Sequence, residues 1–173
     1  MTRAERSGRD AGQRRREGWG NPPQPKVSAL DDERGWKRYL TQPDTKSYGV
    51  VGVHPTALPQ DHELAAAKRI AAGFDVFFRE RVEADGVANP DLLIEGLIWE
   101  LKSPRGAGRN NISAQMRRAK RQADRVIIDL ARSPRDELES IEEIDRRLQS
   151  HPVLREAIVV MKDWTLVRIA RRW

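Results

Sequence analysis

Of the four charged residues in the largely apolar stretch NPDLLIEGLIWELKS, residues 89–103, three could do chemistry together, and they are Asp91, Glu100 and Lys102. Two carboxylates that share a site repel one another unless a proton or a cation lies between them. Paired carboxylate oxygens are what a hard divalent ion binds, and a lysine beside them can steady charge that develops on a phosphate. If the three side chains meet, they could support metal-assisted hydrolysis of a phosphodiester bond.

Whether they meet depends on the turn at Glu95-Gly96. A glycine-containing pair between two apolar runs favours a two-residue hairpin loop. Counting outward from that turn places Asp91 opposite Glu100, and directly opposed residues share one face of a sheet, with side-chain roots about 5 Å apart. Lys102 lies two residues beyond Glu100 and therefore points to the same face. The sequence predicts that all three charges lie together at one end of a hairpin.

The opposite face of this hairpin is apolar throughout and is predicted to be core; its residues are Leu92, Ile94, Leu97, Trp99 and Leu101. A second interpretation of the charged end stays open. It is a solvated hairpin end in which Lys102 only neutralises Glu100, because an acid and a lysine two residues apart are common in strands.

A further carboxylate, Glu63, lies in the helix predicted over residues 61–73. On a helical wheel it falls in the middle of an apolar arc, formed by Ala67, Ile70, Ala71 and Phe74. A carboxylate directed at the core is costly unless it has a partner, which favours a metal-binding role with Asp91 and Glu100. The alternative is a first-turn acid stabilised by the helix dipole.

Residues 102–121 contain no acid. Their glycine-bearing loop, PRGAGRNN, leads into a helix, and this combination suits phosphate contact through backbone amides and guanidinium groups. We predict that the stretch binds nucleic acid through Arg105, Arg109, Asn111, Arg117, Arg118, Lys120 and Arg121. Gln115 shares the polar stripe of Asn111 and is predicted to reach toward the carboxylates. The alternative is a solvated helix face.

Composition favours one domain with an anionic partner. The 173 residues are 34% charged, with a net charge of +6 and a pI near 10.0, so nucleic acid is favoured ahead of a membrane surface. The lack of cysteine excludes a disulfide scaffold, a cysteine nucleophile and cysteine-rich zinc sites. No serine elbow accompanies the three histidines. No apolar run approaches about 20 residues, so no membrane insertion is expected, and without a signal peptide the chain is expected in the cytoplasm.

Residues 1–50 are rich in Arg, Gly and Pro and are predicted to form a basic, largely disordered arm, with the folded domain over residues 51–173. Within this domain the hydrophobic periodicity predicts a mixed α/β fold in the order α-β-β-β-α-β, followed by a helix and a C-terminal hairpin. The predicted helices cover residues 61–73, 111–124 and 135–150. The predicted strands cover residues 75–82, 90–96, 97–104 and 125–130, and the final hairpin turns at Lys162-Asp163.

Pro90-Asp91, then Glu100-x-Lys102, with Glu63 upstream on a helix, resemble the pattern of the PD-(D/E)xK nuclease superfamily. More narrowly, NPDLLIEGLIWELKSP and NNISAQMRRAKRQADRVIIDL look like the C-terminal toxin domains of CdiA-type contact-dependent inhibition proteins. The resemblance spans roughly residues 55–173 and is strongest over 89–130.

This resemblance implies a restriction-endonuclease-like core and cleavage of phosphodiester bonds, with tRNA as the preferred substrate. By position, Glu63, Asp91 and Glu100 would hold a divalent metal, with Mg²⁺ or Mn²⁺ ahead of Zn²⁺. Lys102 would assist the water or the phosphate, and Gln115 would be auxiliary. A cognate immunity protein and delivery by a larger exported protein are also implied. The alternatives are a DNA endonuclease of the same fold and a non-catalytic nucleic-acid-binding module.

Overall fold

The computed structural model describes residues 37–39 as backbone and residues 49–82, 84 and 87–172 with their side chains. These residues form one eight-stranded sheet and three α-helices, so the mixed α/β class is confirmed. The strands are β1 Lys37–Tyr39, β2 Val51–Val53, β3 Val76–Phe78, β4 Leu92–Ile94, β5 Leu97–Lys102, β6 Arg125–Asp129, β7 Glu156–Val160 and β8 Leu166–Ala170. The helices are α1 Asp61–Ile70, α2 Asn111–Ala119 and α3 Glu137–Ser150.

The strand order across the sheet is β1-β8-β7-β6-β5-β4-β3-β2. Strands β5, β6 and β7 are parallel, and α2 and α3 form the crossovers that parallel neighbours require. The β3–β4, β4–β5 and β7–β8 pairs are antiparallel, which confirms the predicted central and C-terminal hairpins. At the edges β2 runs parallel to β3 and β1 antiparallel to β8.

Alternate strand residues divide the core into two layers. On the first side, here the α1 face, Leu92, Trp99 and Ile127 pack with Ala67 and Ile70 of α1. On the second side, here the α2–α3 face, the buried strand residues pack with both other helices; this layer includes Val126, Ile128, Val159, Ile112, Met116, Ile141 and Ile144. The helices on this second side cover β6, β7 and the later part of β5. By contrast Phe77 of β3 and Ile98 near the start of β5 are 42% and 38% exposed.

Several element boundaries differ from the sequence prediction. Strand β3 ends at Phe78 because the amide of Arg81 donates to Thr56 Oγ1 at 3.2 Å instead of to a neighbouring strand. Helix α2 ends at Ala119, where Arg121 and Gln122 make tighter bonds to carbonyls three residues back, rather than at residue 124. Strands β1 and β2 were not predicted, and β1 falls inside the segment interpreted as an arm. Residues 1–36 and 40–48 of that segment lie outside the described residues.

Helix α1 is tied to the sheet by Arg69. Its guanidinium lies 4.8 Å from the ring centroid of Trp164 and 3.5 Å from Asp129 Oδ1 at the end of β6.

Within the described part of the chain, none of the helices has the length and apolar character needed to cross a membrane.

Candidate active site

The β4–β5 hairpin has the predicted register, in which Leu92, Leu93 and Ile94 pair with Trp99, Ile98 and Leu97. Its two turn residues, Glu95 and Gly96, have φ values of 51° and 76°, as a type I′ turn requires. The turn matches the twist of the strands and thereby fixes which residues share a face.

Asp91 directly precedes β4, and its carboxylate reaches across to β5. Asp91 Oδ2 accepts a hydrogen bond from the amide of Leu101 at 2.8 Å. The backbone carbonyl of Asp91 accepts from the amide of Arg79 at 3.0 Å. Held from both sides in this way, the Asp91 side chain lies beside Glu100, as the hairpin count predicted.

Glu100 and Lys102 point to the α2–α3 face. They stand opposite Val126 and Ile128 of β6, which both belong to the core layer on that side. Glu100 is only 3% exposed. The predicted core of the hairpin is confirmed: Leu92, Ile94, Trp99 and Leu101 are buried, while Leu97 is partly buried against them.

The two oxygens of Glu100 have different surroundings. Oε1 accepts a short hydrogen bond from Lys102 Nζ. Oε2 is buried and has no hydrogen-bond donor among the described residues. A buried charged oxygen without a donor is expensive, and such an atom is a natural ligand for a cation.

Burial, with the charge of Asp91 adding to it, raises the pKa of Glu100 to about 7. Burial also raises the pKa of Asp91, against the hydrogen bond from Leu101 and the charge of Lys102. A proton on either acid lets the two carboxyls hydrogen-bond to each other. The pair therefore retains a proton to higher pH than two separate acids would, unless a cation takes its place.

Glu63 lies near this pair but has another partner in this structure. Its Oε2 accepts from the amide of Gln60 at 2.8 Å, which caps the start of α1. Its charge nevertheless raises the pKa of Asp91, and both residues line a cleft of about 300 Å³. Among the described residues no three His, Asp or Glu side chains are arranged to hold a metal ion. The metal role of Glu63 therefore stays a prediction.

The donor set of the pair fits a hard divalent ion. Both residues offer carboxylate oxygens, one of them unpartnered and buried. Mg²⁺ is usually held by one or two protein carboxylates and keeps several waters, so Asp91 and Glu100 alone satisfy its ordinary requirement.

Gln115 is half-buried on α2, the helix that packs beside β5. Gln115 belongs to a polar stripe that continues through Arg118 to Gln122. Gln122 Oε1 accepts a hydrogen bond at 2.8 Å from the amide of Asn89, which lies two residues before Asp91. The polar stripe that includes Gln115 and Arg118 therefore runs along the side of the strands that carries the carboxylates.

The structure divides the predicted nucleic-acid-binding residues into separate groups. Arg105 lies near the start of α1, close to His62. The pKa of His62 is lowered mainly by burial, then by the charge of Arg132, and to a smaller extent by the charge of Arg105. Asn111 Nδ2 donates to Gly106 O at 2.9 Å and so holds the basic loop. The remaining members differ in exposure and direction: Arg109, Arg117, Arg118 and Arg121 are exposed, Lys120 is half-buried, and Arg117 and Lys120 lie near His151 at the end of α3.

Asp129 was not among the predicted site residues. It is 2% exposed and accepts from Ser103 Oγ at 3.1 Å, in addition to its ion pair with Arg69. Arg132 Nη2 donates to Ser103 O at 3.5 Å. These contacts hold the chain immediately after Lys102. The sequence feature that could have identified Asp129 is its place at the end of the apolar strand RVIID. The carboxyl ends of parallel strands commonly border a site.

A second buried acid, Glu143 of α3, was also missed. It accepts from Ser113 Oγ of α2 and pairs with Arg135 Nη1, each at 2.7 Å. Burial opposes its ionisation, but these bonds hold the pKa of Glu143 below its usual value. Arg135 Nη1 also donates to Arg109 O at 3.2 Å, so the network fastens the basic loop to α2 and α3.

Comparisons with known proteins give a family match and a structural similarity. Residues 88–166 match the family model of the contact-dependent growth inhibition CdiA C-terminal domain. The fold is also similar to a solved structure, the CdiA-CT/CdiI toxin and immunity complex from Burkholderia pseudomallei. The TM-score is 0.50 at 22% identity, covering 69% of this chain and 98% of that chain. No curated protein matches the chain. The family match includes Asp91, Glu100 and Lys102 and leaves out Glu63.

Proposed function

We propose that the chain is a toxin-type, metal-dependent nuclease that hydrolyses phosphodiester bonds, with tRNA as its preferred substrate. The observation that carries this proposal is the Asp91–Glu100 pair, in which a buried oxygen of Glu100 has no donor among the described residues while Lys102 lies alongside. A solvated hairpin end would not bury Glu100 to 3% exposure.

A divalent ion bound by the pair would polarise the scissile phosphate and lower the pKa of a water. The chain itself supplies the positions of the groups. Leu101 N orients Asp91, and β6 and α2 shield Glu100 from solvent. Lys102 Nζ, now bonded to Glu100, would donate to a phosphate oxygen bound beside the pair. Glu63 keeps one oxygen on the amide of Gln60 and would contribute through the other.

The preference for tRNA and the toxic role rest on the similarity to CdiA C-terminal domains, over residues 88–166. The similar solved structure is a complex of a toxin with an immunity protein, and we propose an equivalent immunity partner for this chain. We also propose that the domain acts in the cytoplasm after delivery by a larger exported protein.

The test compares the wild type with Glu100→Gln and with Glu95→Gln, an exposed acid in the turn of the same hairpin. Each protein is incubated with total tRNA and with plasmid DNA, in Mg²⁺, Mn²⁺, Zn²⁺ or EDTA, and the products are separated on denaturing gels. Glu100→Gln should slow tRNA cleavage by at least about 100-fold. Loss of a residue that only hydrogen-bonds to a metal ligand typically lowers metal affinity or activity by about 10–100-fold, and Glu100 is proposed to bind the metal directly. Glu95→Gln should cleave normally.

Cutting of plasmid alone would replace tRNA by DNA as the substrate. Cleavage of tRNA that persists in EDTA or in Glu100→Gln would contradict the assignment of the site.

A further inference from the structure

An apolar row crosses the part of the α2–α3 face that lies beside the carboxylates. In the sheet register Gly52 stands opposite Phe77, Phe77 opposite Leu93, and Leu93 opposite Ile98. The residues that alternate with them, such as Val76, Leu92 and Trp99, are buried in the α1 core. The row therefore points to the other side of the sheet.

The row and the carboxylates share this side. Leu93 lies two residues after Asp91, and Ile98 lies two residues before Glu100, so each pair points the same way. Phe77 is two strands from β5, which is about 10 Å at the usual spacing of strands. The row is therefore within reach of a nucleic-acid strand whose phosphate is bound at the carboxylates.

Phe77 has an unusual position within the row. A Cβ added to Gly52 would lie 2.4 Å from Cδ1 of the Phe77 ring, so the ring occupies the space above the glycine. The side chain is still 42% exposed. Glycine at residue 52 thus allows the ring to lie across β2 while much of it stays open to solvent.

We propose that Phe77 is a stacking platform for an unpaired base of a single-stranded nucleic acid, with Leu93 and Ile98 continuing the apolar floor toward the carboxylates. The inference rests on the proposed function and adds a base-binding site to it. Exposed aromatic side chains on a sheet bind single strands by stacking, whatever the base, since every base has a π-face.

The charges around the row favour nucleic acid over other occupants. The polar stripe of α2, with Gln115 and the exposed Arg118, runs along the same side and offers a cation to the backbone of a strand. A second copy of this chain would bring another net charge of +6 against that helix. An apolar row beside a basic helix matches a ligand with flat apolar rings and a negative backbone.

The test uses a short single-stranded RNA that contains 2-aminopurine, whose fluorescence is quenched when the base stacks. Binding to the full chain is measured in EDTA, so that cleavage does not contribute. The variants are Phe77→Leu, which keeps an apolar side chain, Phe77→Trp, which keeps a ring, and Gly52→Val, which displaces the ring. Leu138→Ala removes an apolar side chain that is 54% exposed on α3 and serves as the control.

The wild type and Phe77→Trp should quench the probe. Phe77→Leu and Gly52→Val should lose the quenching and bind roughly 10-fold more weakly, within the usual effect of removing one stacking contact. Leu138→Ala should match the wild type. Thermal unfolding of each variant shows whether the fold is intact.

Equal affinity and quenching in wild type and Phe77→Leu would overturn the platform. If tRNA cleavage still required metal and Glu100, the proposed function would stand without it. A dimer that Phe77→Leu converts to monomer, with RNA binding unchanged, would show that a second copy covers the row and would also overturn the proposal. Failure of the wild type to bind or cleave any nucleic acid would reject the platform and the function together.

Discussion

Two glutamates in this protein are almost equally buried, with Glu100 3% and Glu143 5% exposed, yet their surroundings are opposite. Both oxygens of Glu143 have a donor, from Ser113 and Arg135. Glu100 shares its environment with a second acid and leaves one oxygen without a donor in the described part of the chain. The pKa of Glu143 is lowered, whereas that of Glu100 is raised to about 7.

Burial alone does not identify a functional acid. Glu143 is buried because its ion pair and hydrogen bond make burial tolerable, and it joins α2, α3 and the basic loop. Glu100 is buried in a position that its neighbours do not fully satisfy. A group held at such a cost is a candidate for chemistry, whereas a satisfied one supports structure.

The largest expected difference concerns stability. Glu143→Ala should lower the free energy of unfolding by about 3 kcal/mol, because it leaves the Arg135 guanidinium buried without its partner. Glu100→Gln should leave it unchanged or raise it, because it removes a buried repulsion. Urea unfolding at neutral pH without divalent metal measures both.

Glu139→Gln, an exposed acid on the same helix as Glu143, is the matched control and should be neutral. Equal losses in Glu143→Ala and Glu100→Gln would remove the distinction between the two acids.

The second difference concerns pH. Because the folded pKa of Glu100 is raised from 4.5 to about 7, its contribution to stability is fully present below pH 4.5 and is lost as the pH rises toward 7, by about 3 kcal/mol. Glu143, with a lowered pKa, contributes stability above its unfolded pKa and loses it on acidification. Unfolding free energies of the wild type, measured in EDTA from about pH 3 to about pH 8, should therefore fall between pH 4.5 and 7 and also decline on the acid side.

In Glu100→Gln the free energy of unfolding should change little between pH 4.5 and 7. In Glu143→Gln it should still fall over that range, but it should decline less on acidification than in the wild type. A wild-type profile that rises steadily from pH 4.5 to 7 would contradict the raised pKa of Glu100.

The smallest expected effect is that of Ser113→Ala, which removes one of the two donors to Glu143 but leaves Arg135. A loss of about 1 kcal/mol is expected, as for one buried hydrogen bond. The pKa of Glu143 should rise toward its ordinary value, and NMR titration of its side-chain carboxyl would detect this. An unchanged titration would show that Arg135 alone sets the ionisation of Glu143.

The sequence was informative where contacts are local. The register of the β4–β5 hairpin followed from one two-residue turn, and with it the shared face of Asp91, Glu100 and Lys102. The apolar periodicity likewise predicted all three helices and the C-terminal hairpin, although the ends of α2 and β3 were misplaced. These features depend on residues close together in the chain.

Contacts between distant residues could not be predicted in the same way. The pairing of Gly52 with Phe77, the bond from Ser113 to Glu143 and the contact of Ser103 with Asp129 each join residues at least 25 positions apart. Three-residue strands such as β2 also carry too short a pattern to recognise. For Glu63 the helical wheel placed the acid toward the core, but it could not show that the amide of Gln60 would bind it.

The β4–β5 turn also has a consequence for folding kinetics. Asp91 and Glu100 lie on the two arms of one hairpin, only nine positions apart in the chain. Hairpins form in about 1–10 μs, whereas parallel pairings such as β5–β6 and β6–β7 must wait for longer loops to close. The two acids can therefore meet early in folding, and the later docking of β6 and α2 excludes water from a pair that is already assembled.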